Sequence, residues 1–314
     1  MVGVVGNRAR SAIIRSQRIT GLAPEVIAEL VSEVGPLWHE RHQAGLASRP
    51  RRRAVGAGAK HKLVFVDRLL VTLVSLRHGA THDVLACWFG VDRSTITRAI
   101  GEVRPLLAER GCVVAPGLRL RTLAEVIDHL GADGQTGIID GTEVRVRRPA
   151  AGRKDREKFI SGKNKQNAVK SMVVTDAEGR LLFCSPAEPA SCADITHARK
   201  LGLVKLLADG PAVEILADAG YQGLGAQTGG RVVTPPHRKF KKNPPEWYEE
   251  MHERQRKGHS SRRIRVEHGI GHLKNWRSLA RHHGRREHMS DIIQAVASLL
   301  SHQQTATMHR GARM

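Results

Sequence analysis

Asp140, Asp218 and Glu267 are the residues of this chain whose type and setting suit them to chemistry. Asp140 follows the apolar pair Ile138 and Ile139 in GIIDGTEV, and Asp218 follows Val213, Ile215 and Leu216 in EILADAGYQG. Each carboxylate is therefore expected at the end of a short apolar strand, just before a glycine turn, where a side chain is held rigidly. Glu267, in RRIRVEHGIGHLKNW, belongs instead to a stretch of helical spacing. Arg263, Glu267 and Lys274 stand there at i, i+4 and i+11 and fall within about 40° on one face. Three carboxylates brought to one point repel and raise one another's pKa unless cations intervene. Two divalent ions resolve that conflict. Mg²⁺ is the first choice and Mn²⁺ the alternative, with the ions about 3.5 to 4 Å apart, one activating a water or sugar hydroxyl and the other stabilising the leaving oxygen of a phosphoryl displacement. The chemistry is phosphodiester cleavage or transfer. A lone Asp-Gly is more often a turn, and 30 acidic residues offer many trios, so the surrounding elements must decide.

Toward the N-terminus, Val26, Ile27, Leu30, Val31 and Leu37 have helical spacing from Ala23 to Ala44, with Pro24 in the first turn. Ser48 to Lys62, with Pro50, Arg51, Arg52, Arg53 and Lys60, has little to bury and reads as a basic linker or loop able to touch phosphates. Leu63 to Arg77 is an apolar helix closed by Gly79; Thr81 caps a second helix through Val84, Leu85 and Trp88 to Phe89. Gly90 and Val91 turn the chain, and Asp92 is placed to cap a third helix. Ile96, Ile100 and Val103 line its inner face and leave Arg93, Ser94, Thr97 and Arg98 outward. This is a helix-turn-helix whose third helix can enter a major groove, those four residues being its DNA contacts. A plain charged three-helix bundle is the bland alternative. Pro105 limits how far the helix continues straight.

The pattern then changes. A connection at Gly111 to Gly117 and a helix at Leu123 to Leu130 precede short strands, the first formed by Gly137 to Asp140 and Val144 to Val146. Val169 to Thr175 and Leu181 to Ser185 flank a hairpin turn at Asp176 to Gly179. Helical spacing from Ser191 to Leu207, the Asp218 strand, a strand at Arg231 to Thr234 and the Glu267 helix follow. Gly269 and Gly271 weaken that helix by about 1 kcal/mol each. Before it lies a charged stretch with Pro244 and Pro245 and a short helix, where Trp247 or Tyr248 are candidates to stack on an unpaired base. Asp291 to His302 reads as a terminal amphipathic helix for packing or dimerisation. The expected fold class is α/β, a mixed-sheet domain behind an all-α helix-turn-helix domain. The expected divisions are 1–62 (helix and basic linker), 63–112 (helix-turn-helix), 113–302 (catalytic domain) and 303–314 (tail).

With 51 Lys and Arg against 30 Asp and Glu, the chain carries a net charge of +21, which favours a polyanionic partner, nucleic acid foremost. Its 40% hydrophobic content is that of a folded globular protein. Leu69 to Leu76, the densest apolar run, is far short of the roughly 20 residues that span a bilayer. No secretory signal is evident, and a cytoplasmic, nucleoid-associated protein is expected. Cys87, Cys112, Cys184 and Cys192 show no CxxC pairing and read as reduced, buried side chains. His282, His283 and His288 fit an exposed basic segment better than a metal site.

The blocks DGTEV at Asp140, Ser161-Gly162-Lys163, Ser185-Pro186-Ala187 through Ser191 to Asp194, LADAGYQG at Asp218 and VEHGIGHLKNWR at Glu267 match, in order and spacing, a known family. Over most of its length the chain resembles the DDE transposases of bacterial insertion sequences, in particular the insertion-sequence-five type, which set a helix-turn-helix before a ribonuclease-H-like catalytic domain. A family signature of Tyr, Arg, Glu and Lys maps onto Ser260, Arg263, Glu267 and Lys274, so Ser260 departs from it; Ala193 departs where relatives often carry His. The resemblance implies that Asp140, Asp218 and Glu267 hold the metals and that Arg263 and Lys274 hold the DNA. It implies water-driven cleavage at the ends of a mobile element, then attack of the freed 3′ hydroxyl on target double-stranded DNA, by a homo-oligomer, a dimer on paired ends. The alternatives are an inactive or domesticated DNA-binding relative and a metal-dependent endonuclease without strand transfer.

Overall fold

Residues 6–48, 62–152, 154–238, 240 and 244–311 are described by the computed structural model, so all but the ends of the expected basic linker at Ser48 to Lys62 lies outside the described residues. The N-terminal region is helical: α1 (Asn7–Arg15), α2 (Gln17–Thr20), α3 (Pro24–Ala47), α4 (Phe65–His78), α5 (His82–Phe89) and α6 (Arg93–Glu109). Pro24 begins α3, which buries Val26, Ile27, Leu30 and Val34 along one stripe. α4 stops at Gly79, whose φ of 63° is left-handed, and Thr81 Oγ1 then caps α5 by accepting from Val84 N at 3.4 Å. Gly90, at φ 61°, turns the chain into α6, which buries Ile96, Ile100 and Val103. One local expectation fails here. Asp92 makes no side-chain cap and instead faces Lys62 Nζ at 3.4 Å. The helix runs through Pro105 to Glu109, because Leu106 and Leu107 beyond the proline are buried and packing outweighs the missing N–H.

Gly111 to Gly117, read as a connection, contains a strand. β1 (Cys112–Ala115) and β2 (Leu118–Leu120) form a hairpin turning at Gly117, φ 77°. Its outer edge is satisfied from the far end of the chain: Val113 N donates to Ser301 Oγ and Thr305 Oγ1 donates to Val113 O, both at 2.9 Å. α7 (Leu123–Ala132) follows, with Thr122 and Glu125 in a capping box.

The main sheet is built from β3 (Gly137–Arg145), β4 (Ala168–Thr175), β5 (Leu181–Cys184), β6 (Glu188–Pro189), β7 (Ile215–Leu216) and β8 (Val232–Val233). Between and after these come α8 (Asp194–Lys200), α9 (Leu203–Asp209), α10 (Leu224–Gln227), α11 (Glu246–Lys274), α12 (Arg277–Ala280) and α13 (Met289–Gly311). The strand order is β5-β4-β3-β7-β8, antiparallel from β5 to β3 and parallel from β3 to β8, with β6 paired to β4. Three antiparallel strands followed by helix-linked parallel ones make a mixed α/β sheet of the ribonuclease-H-like kind, behind an all-α region. Every residue of β4 is buried, so both faces are covered. On one face Ile138, Val144, Val173 and Leu181 join Val266, Leu273 and α13, in the same core as Leu69, Leu73 and Ile100 of the N-terminal helices. On the other, Ile139, Met172, Val174 and Leu182 pack with residues of α7, α8 and α9.

Several element boundaries differ from expectation. The first strand, expected from Gly137 to Asp140 and Val144 to Val146, is unbroken, because β4 pairs continuously from Ile138↔Thr175 to Arg145↔Ala168. Asp140 is therefore mid-strand, not at a strand end. The Ser191 to Leu207 stretch divides into two helices at Gly202, φ 77°. The short helix after Pro245 and the Glu267 helix are a single helix of 29 residues. Gly269 in that helix faces Thr175 and Gly179 of the β4–β5 hairpin, where an added methyl would lie 3.1 Å from Thr175 Cγ2; the close approach is internal. The terminal helix runs on past His302 to Gly311.

Candidate active site

The parallel register between β3 and β7 fixes the site. Ile138 pairs with Leu216, and two residues further along stand Asp140, within β3, and Asp218, just past the end of β7. Asp140 Oδ1 accepts from Gly141 N at 2.7 Å and its Oδ2 from Arg263 Nη2 at 2.8 Å. Asp218 leaves β7 and caps the turn Ala219–Tyr221 by accepting from Gly220 N at 2.9 Å. Burial pushes the Asp140 carboxyl above its usual range; the Arg263 guanidinium pulls it back, while the negative charges of Asp218 and Asp194 push it further up.

Arg263 and Glu267 lie one turn apart on α11. The same guanidinium that grips Asp140 has its Nη1 3.8 Å from Glu267 Oε1, and the Glu267 side chain is 58% exposed. Asp140, Asp218 and Arg263 are thus drawn together, with Glu267 at the rim beyond the guanidinium. Among the described residues, no three of His, Cys, Asp and Glu are preset to hold a metal together. The donor chemistry nonetheless fits a hard divalent cation: two neighbouring carboxylates stand together, and the half-buried one, Asp140, holds a guanidinium that stands in for its charge.

A cleft of about 680 Å³ opens over this cluster. Asp140, Glu143, Asp194 and Asp218 supply its acids, and Arg145, Lys163, Lys170 and Lys274 its cations. Glu143 is engaged, accepting from Ser161 Oγ at 2.8 Å and Asn164 Nδ2 at 2.9 Å, which folds the Ser161-Gly162-Lys163 turn over the cleft and sets Lys163 at its edge. Lys274 stands at the cleft's other side. Sequence reasoning did not single out Glu143 or Lys170, and it met Asp194 only as the end of a family-matching block, with no role at the site. A signal existed for Lys170: a lysine inside an otherwise apolar strand needs a reason to be there.

In the helix-turn-helix, Arg93, Ser94, Thr97 and Arg98 share the exposed face of α6. Arg93 lies 3.5 Å from Asp83, and Thr97 Oγ1 donates to Arg93 O at 3.0 Å and meets His82 Nδ1 at 2.8 Å. Of the two aromatics before the Glu267 segment, Trp247 is exposed. Tyr248 is buried against Phe240 and His252, which removes it as a base-stacking surface. The four cysteines are free; Cys112 and Cys184 are buried, Cys87 is exposed and Cys192 intermediate. Among the described residues no helix is long and apolar enough to cross a membrane.

A mixed ribonuclease-H-like sheet that presents Asp140 and Asp218 in a cleft edged by cations, behind a helix-turn-helix, defines a nuclease class. The chain belongs to the DDE superfamily endonucleases, whose family profile matches residues 139–301. A second profile, the helix-turn-helix of DDE superfamily endonuclease, matches residues 61–112. Membership carries a dependence on divalent metal and a DNA-binding element. The chain is 29% identical over 228 residues to a protein of Streptomyces albus G named as a transposase for insertion sequence element IS112, covering 72% of this chain and 75% of that one. It is 23% identical over 167 residues to one of Microchaete diplosiphon named as a transposase for element IS702, covering 53% of this chain and 56% of that one. A chain of the crystal structure of a pre-cleavage Mos1 transpososome aligns with 86% of this chain and 97% of its own length at 12% identity, with a TM-score of 0.19, too loose a superposition to bear on the fold.

Proposed function

We propose that this chain is the transposase of an insertion sequence: it binds the ends of a mobile DNA element, cuts there and joins the freed 3′ end to target DNA. The observation that carries this is the β3–β7 register, which sets Asp140 beside Asp218 under a cation-lined cleft in a chain that also bears a helix-turn-helix. Asp140 and Asp218, with Glu267 from the rim, are the residues that would hold the ions, Mg²⁺ foremost and Mn²⁺ as the alternative. When bound, the ions supply polarisation of the attacking hydroxyl and of the leaving oxygen.

The chain's own residues do the rest. Lys163, Arg145 and Lys274 line the cleft and draw the phosphodiester in. Arg263 balances the charge of Asp140 and, with Lys274, steadies the DNA beside it. Residues 63–112 act as the DNA-reading unit, with Arg93, Ser94, Thr97 and Arg98 toward the duplex, and residues 113–302 as the catalytic unit. A dimer on paired element ends completes the reading. Asp218→Asn is expected to retain binding to element-end duplex in a gel shift and to lose Mg²⁺-dependent nicking and joining of labelled ends. Unimpaired joining by that variant would refute the assignment, and cleavage without joined product in the wild type would reduce it to a nuclease.

A further inference from the structure

The two glycines beside the aspartates are explained by one side chain, Asp194. A methyl built on Gly141 would run into Asp194 Oδ1, and one on Gly220 would lie 3.0 Å from both Asp194 Oδ2 and Asp218 Oδ1. Neither glycine has a positive φ, so backbone freedom is not what these positions need; they need room for a carboxylate. Asp194 reaches that gap from the start of α8, on the side of the sheet away from α11.

It is held there deliberately. Lys170 Nζ lies 3.0 Å from Asp194 Oδ1 and donates to Cys192 O at 2.9 Å, and the lysine side chain is only 10% exposed, in a strand buried along its whole length. An ammonium in the middle of a sheet is retained only where it is paired. Asp194 Oδ1 is itself shielded from solvent, seated between the Lys170 ammonium and Gly141, while the residue as a whole lines the cleft.

We infer that Asp194, anchored by Lys170, is a positioning residue of the catalytic centre: its carboxylate, wedged between Gly141 and Gly220, fixes the spacing of Asp140 and Asp218 and adds a third negative charge to the cation they take. The inference rests on the reading that Asp140 and Asp218 bind a divalent ion. It places the third charge on the α8 side of the pair, opposite the helix that carries Glu267.

The test uses the full chain, Mn²⁺ as the probe, calorimetric titration for binding and thermal melting without metal for folding. Asp194→Asn keeps shape and loses charge; it is expected to retain a single cooperative melt and to bind Mn²⁺ at least tenfold more weakly than wild type. Gly141→Ala is expected to lower the melting temperature in the wild-type background and to be tolerated when combined with Asp194→Ala. Wild-type Mn²⁺ affinity in Asp194→Asn overturns the charge contribution, and an equal loss from Gly141→Ala in both backgrounds overturns the wedge. If wild type takes up no Mn²⁺ while the glycine result holds, the cation reading of Asp140 and Asp218 fails, not the packing of Asp194.

Discussion

Burial and charge act against each other at Asp140. Loss of solvent raises its proton affinity and the Arg263 guanidinium lowers it, so a cation beside the carboxylate favours its ionised form. Arg263→Gln removes that offset. The Asp140 midpoint, followed by carbon-13 carboxyl NMR, is expected to move further above the ordinary 3.8 in the variant; an unchanged midpoint would mean the guanidinium is not seated there in solution. The sign also fixes a stability effect. Because the folded-state pKa is raised, Asp140 favours folding below the ordinary carboxylate value, and that contribution is lost as pH rises through its folded pKa. Asp140→Asn is accordingly expected to melt no lower than wild type at neutral pH without metal, while losing Mn²⁺ binding.

The elements show which parts of this fold are written locally. The helix-turn-helix was legible because its punctuation is short-range: Gly79 and Gly90 in the left-handed region and the Thr81 cap mark each break within a few residues. Asp140 was set at a strand end because Asp140-Gly141 interrupts the apolar pattern of β3, while the ladder that carries the strand through belongs to β4, some thirty residues on. β1 was missed for the same reason, its edge being satisfied by Ser301 and Thr305 of α13. The carboxylate pair was legible from its words, but Asp194 and Lys170 enter the cleft only through tertiary packing. α11 and α12 are joined to the N-terminal helices through Trp276, which is 2% exposed, backs onto Gly21 and carries the Arg77 guanidinium 5.6 Å from its ring centre. Trp276→Ala is expected to cost about 3–5 kcal/mol in denaturant unfolding. A loss under 1 kcal/mol would show that the joint does not hold α11.

At the scale of the whole molecule, one apolar core runs from Leu22 through the helix-turn-helix to the main sheet and α13, so a single unfolding transition is expected in calorimetry, not separate melts for the two halves. A buried histidine and a half-buried one make its stability pH-dependent on the acid side. His302 donates from Nε2 to Glu29 at 2.7 Å and accepts at Nδ1 from Arg110 at 3.3 Å, and burial holds both it and His282 below the usual 6.5. The unfolded chain takes up these protons more readily, so the melting temperature is expected to fall as pH drops below 6.5; a flat profile down to pH 5 would contradict the buried settings. The charge of +21 predicts that affinity for any duplex drops by on the order of 10³ between 50 and 200 mM salt, readable by fluorescence anisotropy. A last consequence lies in α13, which rests on α6, β1 and β5 at once and ties Arg104 to Asp291 and Arg110 to Ser298. The groove-reading helix and the cutting strands are bolted to one beam. On the proposed function, that shared frame sets the number of base pairs between the bases recognised and the bond broken, and grafting a foreign reading head is expected to shift or abolish the cut.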